Sequence, residues 1–343
     1  MKILRSTAML ALAASMGVGA ASAETIVGVS WYKFADERWK IDEAGIKSVV
    51  EAAGAKYISA DANFSAEKSV ADIENLVTRG ADVLIIMSGV GDSIGPVVTR
   101  ALAEDVPVVA YDQLIPVPGT FYVSFDARSV GNELAAGMLE VAPEGNYAII
   151  KGDDGDPNTH QMFGAYTASM QSSYDSGAIK VVGEQFVDSW RPETAKDTIE
   201  QILTANDNNV DAVMVMNDGM ASGVSKALEE QGLTIPISGQ DGAPGALNRI
   251  ARGQQTFTIW KNAYGLGEMA ATVALQLAEG KAGSEVDGAG KFQVPDGGPE
   301  LDAILLPVDR IDASNLEKTV DVGWASVERI CAGVSDNPPA VCQ

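Results

Sequence analysis

Three carboxylates occupy four positions in the stretch KGDDGDPNTH, where Asp153, Asp154 and Asp156 follow the apolar run Tyr147 to Ile150 and precede Asn158 and His160. Residues of these types serve three chemistries. Asp154, Asp156 and Asn158 match positions 1, 3 and 5 of a calcium loop; paired carboxylates can cleave a glycosidic bond when one is held protonated; ionised carboxylates with amides can hold the hydroxyls of a neutral polyol. The calcium pattern breaks at position 6, where Thr159 replaces the turn glycine, and at position 12, where Ala165 replaces the bidentate glutamate. A carboxylate-driven hydrolysis stays open. His160 is the only histidine, so imidazole acid-base work would rest on it alone, and its place at a helix start suits a local hydrogen bond. There is no zinc-ligand spacing and no phosphate loop, and the acidic stretch is read as serving a neutral polyol.

Other polar residues recur at the ends of apolar runs: Asp112 after PVVAY, Asn217 and Asp218 after VMVM, Asp241 after PISGQ and Lys261 after TFTIW. Some of these can simply cap the following helix. Trp39 beside Arg38 and Trp190 within DSWRPET could cover the apolar faces of a sugar ring. From Thr25 onward, apolar runs of four to seven residues alternate with longer amphipathic segments, the pattern of βαβ units and a parallel sheet. The strands are TIVGVSW, KYISA, VLIIMS, PVVAYD and FYVSFD, and a second series runs YAIIKG, IKVVGEQF, VDAVMVMND, IPISGQD and QTFTIW. Two such series of similar length predict two α/β lobes with ligand between them, at the carboxyl ends of the strands. The glycine-rich stretch 280–299 reads as a flexible crossover, followed by a last strand, AILLPV.

Lys2 and Arg5 precede the apolar stretch Ala8 to Ala14, and Ala21-Ser-Ala23 offers the small residues of a cleavage site. Residues 1–23 are therefore read as a signal peptide cleaved after Ala23, too short in its apolar part to anchor in a membrane. The exported chain would keep 47 acidic residues and lose two of 24 basic ones, leaving a net charge of about −25. That charge disfavours nucleic acid and anionic lipid as partners and favours a soluble monomer. Cys331 and Cys342 are the only cysteines, and in an oxidising compartment they are expected to form a local disulfide on which ligand binding hardly depends.

The segments ERW (37–39), ADIENLVTRGADVLII (71–86), AYDQLI (110–115), FYVSFD (121–126), EGNY (144–147), DSWRPET (188–194), LTANDNNVDAV (203–213), ISGQD (237–241) and TFTIWK (256–261) occur in an order that resembles the periplasmic monosaccharide-binding proteins of ABC importers, and most of all their D-xylose-binding members. The resemblance spans about residues 24–322. It implies the periplasmic binding protein type I fold, two Rossmann-like lobes joined by a three-segment hinge. The lobes would be 24–126 with 262–297 and 127–261 with 298–330, leaving 331–343 as the tail. It also implies a periplasmic, non-enzymatic receptor without cofactor or metal that hands its sugar to a membrane permease. The carried-over ligand contacts are Arg38, Trp39, Asp112, Gln113, Asp156, Asn158, Trp190, Asn217, Asp241 and Lys261, with Trp39 as the second face of an aromatic sandwich. The xylose-binding members usually carry Arg after Ala-Tyr-Asp, where this chain has Gln113, and galactose-type members place a neutral amide there. Arabinose, glucose and galactose thus stay open as ligands, as do a chemosensory role and a secreted sugar-acting enzyme.

Because the calcium pattern fails at Thr159 and Ala165, a chelator is expected to leave the melting temperature and sugar affinity unchanged. Thermal denaturation with and without EDTA checks this, and a large drop would restore the metal reading of the acidic stretch.

Overall fold

Strands built from runs such as Ile26–Trp31 and Val83–Met87 are buried on both faces, as expected for parallel strands covered by helices on either side. The computed structural model describes residues 24–35, 37–89, 91–295, 297–335 and 337–343. The signal-peptide reading of residues 1–23, with its cleavage after Ala23, lies outside the described residues.

In chain order the strands are β1 (Ile26–Trp31), β2 (Lys56–Asp61), β3 (Val83–Met87), β4 (Val108–Tyr111), β5 (Phe121–Phe125), β6 (Gly145–Lys151), β7 (Ile179–Phe186), β8 (Ala212–Val215), β9 (Gln240–Asp241), β10 (Phe257–Trp260), β11 (Gly290–Gln293), β12 (Glu300–Leu306) and β13 (Asp309–Asp312). Between them run α1 (Glu37–Ala52), α2 (Ala66–Thr78), α3 (Gly95–Ala103), α4 (Ala127–Val141), α5 (Pro157–Asp175), α6 (Pro192–Ala205), α7 (Asp218–Gln231), α8 (Pro244–Ala251) and α9 (Ala263–Ala278). Short helices α10 (Glu317–Asp321) and α11 (Val327–Ile330) follow.

The first sheet has the order β11-β12-β5-β4-β3-β1-β2, parallel except for the antiparallel pair β11-β12. Side chains alternate between its two faces. Val27, Val29, Ile85 and Val123 join the core under α1 and α9, while Leu84, Ile86, Ala110 and Tyr122 join the core under α2 and α3. The second half repeats the pattern in two sheets, β7-β6-β8 and β13-β10-β9, linked by a bridge between Val213 and Ile237. Both halves thus use the order in which the first βα loop lies at a topological switch point.

The second series differs from the sequence reading at IPISGQD, where only Gln240–Asp241 is strand. Pro236 lacks an amide hydrogen, and the segment contributes only a single bridge upstream. A larger difference concerns the expected boundary at 298. Glu300–Leu306, placed with the second lobe by the resemblance, pairs parallel with Phe121–Phe125 in the first sheet. The stretch read as a flexible crossover supplies β11, which pairs with β12. Its glycines masked a short strand whose only large apolar residue is Phe292. The chain passes between the halves after β5, after β10 and after β12, and Val308 at the last passage packs against the cores of both.

Helices α1 and α9 touch at their backbones. A Cβ at Gly45 would lie 2.2 Å from the carbonyl oxygen of Tyr264, and one at Gly267 would lie 2.3 Å from that of Asp42. Gly267→Ala is therefore expected to force the helices apart and cost about 1–3 kcal/mol. A fall of several degrees in Tm would confirm it, and an unchanged Tm would contradict the close crossing.

Candidate functional site

The carboxyl ends of the strands in both halves face one cavity of about 220 Å³. All ten residues singled out in the sequence line it. The volume is below the roughly 300–1,000 Å³ of sites for drug-sized ligands and suits a small solute.

At its centre are four buried charges from both halves. Arg38, in the first turn of α1, donates from Nη1 to Asp241 Oδ1 at 3.0 Å and from Nη2 to Asp112 Oδ1 at 2.5 Å. Lys261 Nζ lies 3.1 Å from Asp241 Oδ1 and 3.6 Å from Asp112 Oδ1. Burial works against charge on the Asp112 carboxyl, but Arg38 and Lys261 outweigh it and hold its pKa below the ordinary value. Burial likewise opposes the Arg38 charge, and Asp112, Asp42 and Asp241 together raise its pKa well above the usual one. The guanidinium also stacks on Trp39, 4.5 Å from the ring centroid.

Both aspartates sit at positive φ, 59° at Asp112 and 103° at Asp241, a conformation that persists only where neighbours over-determine it. The Asp112 turn is fixed by its carbonyl, which accepts from Ser124 Oγ at 2.7 Å and from Asn158 Nδ2 at 2.9 Å. Asn158 is thus tied to the first half although it lies on α5 of the second. Behind Arg38, Asp42 approaches its Nε at 3.5 Å and accepts from the Tyr111 hydroxyl. Burial pushes Asp42 up to about 7 against the pull of Arg38 and Tyr111.

The acidic stretch divides its labour. Asp153 accepts from Gly155 N at 2.7 Å and from Ser189 N at 2.5 Å, so it ties its loop to the turn carrying Trp190. Asp154 is exposed, and its carbonyl oxygen lies 2.7 Å from His160 Nε2, a local contact outside the cavity lining. Only Asp156 reaches the cavity. Its Oδ1 accepts from Asn158 N at 2.9 Å, capping α5, and its Oδ2 accepts from Gln113 Nε2 at 2.6 Å. Gln113 Oε1 in turn accepts from Gly89 N, so this amide bridges the two halves. Burial raises Asp156 to about 6, with Asn158 N–H opposing and Asp112 adding.

Trp190 also has positive φ, 57°, and rests on Gly152, where a Cβ would lie 2.1 Å from the indole. Asn217 is a cap as well as a lining residue. Its Oδ1 accepts from Met220 N at 2.8 Å at the start of α7, and the cap does not use its Nδ2.

Sequence reasoning left Lys33, Asp218 and Arg249 out of the site, and all three line the cavity. Asp218 is 2% exposed and accepts from Gln255 Nε2 at 2.8 Å and from Thr258 Oγ1 and Ala243 N at 2.9 Å; burial pushes it up to about 7. Its place at a strand end was the available signal. Arg249, which donates to the Asp218 carbonyl at 2.8 Å, lies inside α8 and carries no such mark. Carboxylates, amides and cations thus offer acceptors and donors around a small cavity that Trp39 and Trp190 also line. Among the described residues no group of His, Cys, Asp and Glu is arranged to hold a metal ion, and no helix is long and apolar enough to cross a membrane.

Residues 27–282 match the family described as the periplasmic binding protein domain. The chain is 36% identical over 309 residues to the D-xylose-binding periplasmic protein of Escherichia coli (strain K12), covering 88% of this chain and 91% of that protein. It is likewise 36% identical over 323 residues to the D-xylose-binding periplasmic protein of Haemophilus influenzae, with coverage of 92% and 95%. Among solved structures, an ABC transporter solute-binding protein from Clostridium phytofermentans with bound β-D-glucose has the same fold. Its TM-score is 0.81 at 24% identity, over 89% of this chain and 100% of that one. The fold is therefore the periplasmic binding protein type I fold.

Asp156 holds its proton more tightly folded, near 6, than its ordinary 3.8 allows. The stability this contributes is present in acid and lost as pH rises through about 6. Asp156→Asn cannot lose it. The Tm of the variant relative to the parent is expected to rise between pH 4 and pH 7, by the equivalent of about 2–3 kcal/mol. A gap that stays constant across this range would place the Asp156 carboxyl in a solvated setting.

Proposed function

The chain belongs to the periplasmic binding protein domain family, and we propose that it captures D-xylose in the cavity between its two lobes and delivers it to an ABC importer permease. The convergence of the ten residues on one small cavity carries this reading. A sugar hydroxyl both donates and accepts, so it needs acceptors such as Asp112, Asp156 and Asp241 beside donors such as Arg38, Lys261 and Asn217 Nδ2. Charged partners strengthen these bonds, and the indoles of Trp39 and Trp190 suit the C–H faces of the ring. Xylose is favoured by the two relatives at 36% identity.

We read the lobes as residues 24–126 with 262–306 and 127–261 with 309–330, hinged where the chain passes between sheets. The exported chain, cleaved after Ala23, would act as a periplasmic monomer. The relatives are binding proteins, and binding without turnover is supported by the site itself. The cavity carboxylates are engaged by Arg38, Lys261, Gln113 and Gln255, and the only histidine lies outside the lining.

Calorimetric titration and thermal shift with xylose, arabinose, glucose and galactose test the proposal. Xylose at 100-fold above its dissociation constant is expected to stabilise the protein by about 2.7 kcal/mol. Asn217→Asp, which keeps the cap acceptor and removes the amide donor, should weaken binding by about 1.5–3 kcal/mol, and Trp190→Ala by a comparable amount. Gln113→Arg should change the order of the four sugars, because it replaces a bridging amide with a bidentate cation beside Asp112 and Asp156. Failure of all four sugars to bind, or turnover of any of them by pure protein, would overturn the reading.

A further inference from the structure

The C-terminal tail and the segment before it pack against the second half of the molecule. Cys331 and Cys342 are bridged, and the segment before them packs into a core of its own with α8 and Trp260, built on Leu247, Ile250, Ile311 and Ile330. Two contacts run from this core toward the cavity. Asn248 on α8 donates from Nδ2 to the carbonyls of Ile330 and Ala332, both at 2.8 Å, so the helix whose first turns line the cavity is tied to the residues flanking Cys331. Trp324 donates from its indole nitrogen to the carbonyl of Gly242 at 2.6 Å and packs edge-on against Trp260, with centroids 5.8 Å apart.

Gly242 follows Asp241, the aspartate that meets both Arg38 and Lys261. The turn is tight. Asp241 has φ of 103° and Gly242 of 69°, and a Cβ on Gly242 would lie 2.3 Å from the Trp260 ring. The turn's amides are held from within the lobe, Gly242 N by Thr258 Oγ1 at 3.1 Å and Ala243 N by Asp218 Oδ2 at 2.9 Å. The Gly242 carbonyl is held by Trp324, in the segment that leads into the tail. Such a conformation lasts only while its surroundings over-determine it.

We propose that the C-terminal segment from Trp324 through the disulfide-closed tail is a positioning element of the binding site, with Trp324 as the residue that fixes the Asp241 turn. This rests on the proposed sugar site and reverses the expectation that binding hardly depends on the bridge.

Trp324→Phe keeps the edge-on ring and removes the donor. Its xylose affinity is expected to fall about fivefold, the scale of one hydrogen bond. The combined Cys331→Ser and Cys342→Ser variant should weaken binding in the same direction. In an Asp241→Asn background the effect of Trp324→Phe should largely vanish, since residues acting through one group are not additive. Without any sugar, amide exchange at Gly242 and Ala243 should quicken in Trp324→Phe while that of Val83–Met87 stays unchanged. An undiminished loss in the Asp241→Asn background, or unchanged exchange, would reduce the tail to a general stabiliser. If the parent protein binds no sugar, the functional reading fails, and the exchange measurement still decides the role of the tail.

Discussion

Two cations and two anions share one buried point where the halves of the molecule meet, and most of the architecture exists to hold them there. Removing charges from water costs several kcal/mol per ion, repaid only with close geometry and further hydrogen bonds. Arg38 supplies the geometry, because its fork reaches Asp112 with one nitrogen and Asp241 with the other. Lys261 closes the set as a point charge between the same two oxygens. The anions come from different sheets, so the cluster also joins the halves. Stranding any one of the four would leave an uncompensated buried charge, the costly case.

Each charge has a support that the rest of the fold supplies. Arg38 rides on α1, whose axis is set by its backbone contact with α9 through Gly45 and Gly267. Asp42, one turn along, backs the guanidinium and is itself steadied by Tyr111 at the end of β4. The two aspartates accept unfavourable backbone angles, and their turns are pinned from several sides, by Ser124 and Asn158 at Asp112 and by Thr258 at the residue after Asp241. Positive φ at both aspartates, and again at Trp190, fits a preorganised site.

Much of this was legible in the sequence because parallel strands are buried on both faces and end abruptly. A polar residue just past such a run, as with Asp112 and Lys261, is placed by the strand itself, so spacing alone located it. Side chains placed by tertiary geometry were not legible. Arg249 reaches the cavity from within α8, and Lys33 from the loop after β1, and nothing local distinguishes them from surface cations. Glu300–Leu306 was assigned to the wrong half because a strand's period says which residues face a core and not which sheet it joins. The contacts of the C-terminal segment were not legible for a similar reason, since Trp324 and Asn248 are distant in sequence from what they hold.

The same cluster reconciles the acidic chain with a neutral ligand. A formal charge of −23 makes a field that would repel an anionic solute and would draw a cationic one to many places besides the cleft. A neutral polyol feels little of it. Inside the cavity the opposing pairs cancel, so hydroxyls meet strong donors and acceptors without meeting net charge. Asp42, Asp156 and Asp218 extend that logic, because burial raises their affinity for protons and limits the negative charge they add around the site. Selection therefore falls to the placement of single donors and acceptors, which is why a turn held from behind by one indole can matter to what the cleft accepts.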